Sequence, residues 1–144
     1  MSQAFITAFN TLISKRIEML AAYEEIRDTL FDEDEWAEKT QKAYEKYKQK
    51  TAALQNICAS SDEKEYDEMS READEAQEEY KKTAAECSAA RYRFSETNHF
   101  YSKLKRQSGL LEEFDELLWY ALVDYVKVNA DNSIAVVFKD GTEI

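Results

Sequence analysis

The sequence predicts a mainly α fold: a long antiparallel coiled-coil hairpin on a small base of helices, with a short C-terminal antiparallel β-meander. Three observations predict it. The chain has 144 residues, no proline and two glycines, Gly109 and Gly141, so nothing before Gly109 is a strong helix breaker. Apolar positions alternate three and four apart through most of residues 33–106, the pattern of a coiled-coil seam. Beyond Leu110 the period shortens into β-rich runs punctuated by turn residues.

The first helix is expected from Ser2 to Leu30. Its apolar stripe is Ile6, Phe9, Ile13, Ile17, Leu20, Tyr23, Ile26 and Leu30, widened by Phe5 and Leu12. That width suits a globular base more than a narrow two-stranded seam. Asp32, with Glu35 three residues on, reads as the N-cap of a second helix, Glu33 to Cys58. Its seam is Trp36, Thr40, Ala43, Tyr47, Lys50, Leu54 and Ile57. Ser60 with Glu63 forms a capping box for a third helix, which keeps its heptads from Tyr66 through Tyr80, Cys87 and Phe94 to Leu104. Gln107-Ser108-Gly109 ends it, with Gly109 expected as a left-handed cap. Phe114, Leu117, Leu118, Ala121, Leu122 and Tyr125 then form a further helical stripe, beside Trp119. Val126, Val128, Ile134, Val136, Phe138 and Ile144 fall in short strands, with turns at Asp131-Asn132-Ser133 and Asp140-Gly141. The expected organisation is a base helix at 1–32, an antiparallel arm at 33–106 with its tip near 58–62, and a completing segment at 107–144.

A fold-back near Ala59–Ser61 sets a register for the two arm helices. It places Trp36 against Thr83, Thr40 against Tyr80, Ala43 against Ala76, Tyr47 against Ala73, Lys50 against Met69 and Leu54 against Tyr66. The seam holds Lys50, two threonines and several alanines, so it buries less apolar area than Leu or Ile would. The second helix is shorter than the third. Residues from Glu86 to Arg106 must therefore pack on the first helix and the C-terminal segment.

Net charge is −11, which opposes nucleic-acid binding by general electrostatics. No apolar run approaches a membrane span, and no basic, apolar leader follows Met1, so the chain reads as cytoplasmic. Cys58 and Cys87 are too few for a disulfide framework or a zinc site, and no cofactor is expected within the chain. Cys87 lies on the seam and reads as a small core residue. His99, the one histidine, forms no catalytic or metal constellation alone. Arg91, Arg93, Lys103, Lys105 and Arg106 stand out against the acidic background. Solvated helix faces with Glu partners explain most such clusters; contact with DNA phosphate is the functional alternative. No nucleophile, base and pocket converge, so no catalysis is expected here. Tip and arm residues Ile57, Cys58, Ser61, Tyr66 and Tyr44, the last off the seam, are the candidates for contact with a partner.

The C-terminal run from Phe114-Asp115-Glu116-Leu117-Leu118-Trp119 through Val126-Lys127-Val128 to Phe138-Lys139-Asp140-Gly141 resembles the end of the zinc-ribbon region of large serine recombinases, the integrases and transposon resolvases. The opening Ala4-Phe5-Ile6-Thr7-Ala8-Phe9-Asn10 is similar to the helix after the zinc ligands there, and the family carries a coiled-coil insertion between the two. The resemblance implies a bacterial or phage-encoded, non-catalytic assembly and regulatory module, excised from a larger enzyme. It implies partners too: other recombinase subunits through the arm, a regulatory protein, and DNA mainly through parts outside this chain. The catalytic serine domain and the zinc-binding Cys pairs have no counterpart here and are expected upstream. A free-standing coiled-coil adaptor, unrelated to recombination, fits the same seams.

Overall fold

A computed structural model describes residues 1–57 and 62–144; the tip residues Cys58, Ala59, Ser60 and Ser61, and with them the Ser60–Glu63 capping box, lie outside these. The fold is mainly helical, with a small antiparallel sheet near the C-terminus. Its elements are α1 (Ser2–Ser14), α2 (Arg16–Leu30), α3 (Glu33–Gln55), α4 (Glu63–Arg106), α5 (Glu116–Leu122), β1 (Val123–Val128) and β2 (Ile134–Phe138). They divide into two units: a core unit of Met1–Leu30 with Arg93–Ile144, and a hairpin unit of Phe31–Tyr92.

The core unit forms around Phe5, Phe9 and Leu12 of α1, Phe100 and Leu104 of α4, Leu122 of α5 and Phe138 of β2, all with no exposed surface. Phe5 meets Trp119 edge-on at 5.2 Å between ring centres, and Phe100 meets Phe138 at 6.3 Å. Burying each such ring contributes about 1.5–3 kcal/mol. From Arg93 onward α4 packs with α1 and the C-terminal segment; Glu86 to Tyr92, expected there too, instead belongs to the hairpin unit, where Cys87, Ser88 and Arg91 still lie against α3.

The first helix is not continuous. It breaks at Lys15, where the backbone sits at φ −98°, ψ 1°. The Thr7, Thr11 and Ser14 hydroxyls donate to the carbonyls of Gln3, Thr7 and Thr11. Hydroxyl back-bonding of this kind competes with the helical ladder and bends it. The break re-aims the stripe: Phe5, Ala8, Phe9 and Leu12 are inside, while Ile17 is 80% exposed and Ile26 and Leu30 are about half exposed. The Arg16 guanidinium then donates to the Gln107 carbonyl just past the end of α4. Gly109 is not a left-handed cap, since Gly141 is the glycine with positive φ among the described residues.

After α4 the chain runs without regular structure to Asp115. The expected helical stripe from Phe114 to Tyr125 shrinks to the seven residues of α5, because Tyr125 lies inside β1. Asp115 caps α5 by accepting from the Leu118 N–H at 2.9 Å. β1 and β2 pair antiparallel, with Val126 opposite Val136 and a bulge between Val123 and Tyr125. Asn132 takes positive φ in the first turn, and Gly141, at φ 91°, turns the chain so that Val136 and Ile144 exchange backbone hydrogen bonds. The meander expected from the Asp-Gly signal is thus a two-stranded sheet extended by a bridge at Val137–Glu143.

In the hairpin unit, Asp32 caps α3 as its spacing predicts, accepting from the Glu35 N–H at 3.0 Å. The helix ends at Gln55, short of Cys58. The two helices are antiparallel, but the register differs from that counted back from the turn. Tyr80 lies against Tyr44 and Tyr47, at 5.4 and 6.2 Å between ring centres, and not against Thr40. Thr40 shares a recess with Ala84 and Cys87 instead, and Lys50 reaches Glu72 at 2.6 Å. The shift is about one helical turn. A heptad seam still faces a heptad seam after such a shift, so periodicity cannot choose between the layers. Ion pairs and ring contacts choose.

Candidate interaction surfaces

Heptad spacing gives the hairpin seam two flanks of opposite character. On one flank, α3 sets Lys39 and Lys46 seven residues apart, and α4 sets Glu72, Glu79 and Glu86 at the same interval. Lys46 bonds Glu79 at 2.6 Å. This hydrogen bond, with the charge behind it, holds the Lys46 ammonium above its ordinary pKa. Glu72 is held below the usual carboxylate range first by its hydrogen bond from Lys50 and then by the lysine's charge. Glu38 is lowered in the same way by Lys42. These groups face water, so each pair adds little alone; Lys46–Glu79 and Lys50–Glu72 join the two helices along one edge, while Glu38–Lys42 lies within α3.

On the other flank, α3 presents Ala37, Tyr44 and Thr51, and α4 presents Ser70, Gln77 and Ala84. A recess of about 290 Å³ lies there, lined by Trp36, Ala37, Thr40, Ala84, Cys87, Ser88 and Arg91. Between Glu63 and Arg91, which continue the α4 series at its two ends, neither heptad series carries a charge. The Thr40 Oγ1 is buried beside this recess and has no hydrogen-bond partner among the described residues. Tyr44 keeps 40% of its surface exposed while its ring rests on Tyr80. The seam thus has one edge bridged by lysine–glutamate pairs and one whose middle is uncharged. The pattern is visible in the sequence as two seven-residue series, yet reading the seam without its flanks passes over it.

The sequence candidates are only partly gathered. Ile57 is half-buried, its N–H reaching the Leu54 carbonyl at 3.4 Å, and Tyr66 is 48% exposed in the first turn of α4. Cys58 and Ser61 fall outside the described residues. Cys87 is half-buried on the seam. The five basic residues do not form one cluster. Arg91 belongs to the hairpin unit, where it binds Glu33 at 2.6 Å and lies over the Phe31 ring. Lys105, in the core unit, pairs with Glu24 at 3.6 Å. Lys103 and Arg106 line a common recess with Leu117, and among the described residues neither they nor Arg93 has an ion-pair partner. Cations in the last turn of α4 also suit the negative end of the helix dipole.

The core unit holds one internal polar constellation. Tyr23 and Tyr101 stack at 4.0 Å between ring centres. The Tyr23 hydroxyl donates to Asn98 Oδ1 at 2.8 Å, and the Tyr101 hydroxyl to Asp140 Oδ2 at 3.3 Å. Asp140 also accepts from the Thr142 hydroxyl and N–H. Burial, reinforced by the Asp140 carboxylate, pushes the Tyr101 hydroxyl up to about 12. Each group has its partner, and the set ties α2 and α4 to the turn after β2.

Among the described residues no cluster of His, Cys, Asp and Glu is arranged to hold a metal, and no helix is long and apolar enough to cross a membrane. Comparison with protein-family models, with curated proteins and with solved structures returns no match to this chain.

Proposed function

We propose that the chain is a non-catalytic assembly and regulatory module of a site-specific DNA recombinase. Its coiled-coil hairpin would hold DNA-bound subunits together in synapsis. The observation that carries the contact role is the uncharged middle of one hairpin flank: Ala37, Tyr44 and Thr51 beside Ser70, Gln77 and Ala84. In a chain of net charge −11, this side can meet another acidic surface with little like-charge cost. Small residues allow close helix approach, and Tyr44 supplies an aromatic anchor. The assignment to recombination rests on the resemblance of the Phe114–Trp119 helix, the Val126–Val128 strand and the Phe138–Gly141 turn to the large serine recombinases. DNA contact falls mainly to parts of the parent enzyme outside this chain.

The test uses the parent recombinase. Tyr44→Asp and Ala84→Glu place carboxylates on the neutral flank without touching the ion-paired one. Recombination between two target sites should fall at least about tenfold while DNA binding by each subunit persists. Unchanged recombination and direction would sink the proposal. Loss of partner binding by the isolated chain, with recombination unaffected, would assign the hairpin to an adaptor role instead.

A further inference from the structure

Leu117, the second residue of α5, is 82% exposed. It stands on a boundary between charges of opposite sign. On one side, an open recess of about 640 Å³ runs along residues 110–117 and includes Glu112, Glu113 and Glu116. On the other, a recess of about 290 Å³ has Lys103 and Arg106 on its wall. Among the described residues, none of these five charged groups has an ion-pair partner. Nearby, Leu110 is 66% exposed.

The segment is built, not loose. The Asn10 side chain holds Leu111 through two hydrogen bonds, donating to its carbonyl at 3.0 Å and accepting from its N–H at 2.8 Å. Phe114 packs edge-on to Phe5 at 5.5 Å, and Asp115 caps α5. The chain therefore fixes the backbone on both sides of Leu110 and Leu117 while leaving these two side chains in water.

An exposed apolar centre with an acidic side and a basic side is complementary to itself. A two-fold axis near Leu117 brings the acidic side of one copy onto the basic side of the other, twice over, as an isologous interface requires. We infer that the core unit self-associates through Leu117, with Lys103 and Arg106 of each copy facing Glu112, Glu113 and Glu116 of the other. The occupant of this surface is a second copy of the chain, and the contact is separate from the hairpin flank of the proposed function.

Sedimentation of the full chain over a concentration series tests it. The wild-type chain should form a reversible dimer. Leu117→Asp should weaken it by roughly tenfold or more, with circular dichroism unchanged. Lys103→Glu with Arg106→Glu in one chain, and Glu112→Lys with Glu113→Lys and Glu116→Lys in another, should each give monomers. Mixing these two variants should restore a dimer, because every contact again joins opposite charges. A wild-type chain that stays monomeric overturns the inference. So does a dimer that survives Leu117→Asp and both reversals, or one that Tyr44→Asp alone dissolves, which would place the contact on the hairpin.

Discussion

In the core unit the fully buried large side chains are phenylalanines, leucines and Val136; in the hairpin unit the buried side chains among the described residues are Ala43, Ala73 and Ala76. The larger hairpin seam residues Trp36, Tyr47, Leu54, Met69 and Tyr80 stay partly exposed. Each alanine removes far less apolar area from water than a phenylalanine, at about 25 cal/mol per Å². The hairpin compensates along one flank with ion pairs, and such exposed pairs weaken with salt and with titration. Apolar burial in the core unit does neither. One chain thus holds a region stabilised by area and a region stabilised by pattern, and the second is the one that opens at lower cost.

The largest expected effect falls on the first region. Phe9→Ala removes a ring with no exposed surface and should cost about 3–5 kcal/mol in denaturant unfolding of the core unit. A cost near zero would mean that the ring cluster is not the core.

A smaller effect of opposite sign is expected in the hairpin. Thr40→Val removes a buried hydroxyl that lacks a partner and should stabilise this unit by about 1 kcal/mol, read from hydrogen exchange of its amides. Destabilisation would show that the hydroxyl is satisfied.

Titration should weigh more heavily on the hairpin in acid, although Asp131 of the core unit is also held low by its hydrogen bonds from Ser133. Glu38 and Glu72 are held below their ordinary value of 4.5 by Lys42 and Lys50. Their contribution is present above that value and lost as pH falls through and below it, so acid should loosen the hairpin first. Tyr101 is raised from 10.0 to about 12, so its contribution to the core unit is full below 10.0 and lost as pH rises towards 12. Lys46 also begins to lose its contribution in the alkaline range, above 10.5. Amide exchange across pH checks both limbs. Acid that opens the core unit before the hairpin would refute the contrast.

Much of this was legible in the residues. Asp32 with Glu35 marked the start of α3, the unbroken heptads marked α4, and Asp140-Gly141 marked the last turn, because each is a local rule whose participants are close in sequence. Less legible was the first helix, where Ile17 looked equivalent to Phe9 on a helical wheel. Its exposure follows from the break at Lys15, and no proline or glycine announces that break. The basic residues looked like one patch in sequence, whereas Arg91 and Lys105 are each paired with an acid from a distant segment. Leu117 is the converse case. On the expected stripe it belongs inside, yet α5 buries Leu122 and leaves Leu117 and Tyr120 in water.

By itself the sequence determined the start of α3, the long run of α4, the antiparallel hairpin and the β-turns. These depend on period, caps and backbone freedom, which act over a few residues. The tertiary structure alone decided the layer in which Tyr80 meets Tyr44 and Tyr47, and which apolar residues of the first helix are buried. A repeating seam is nearly degenerate to a shift of one turn, and burial is a property of a residue together with what packs against it.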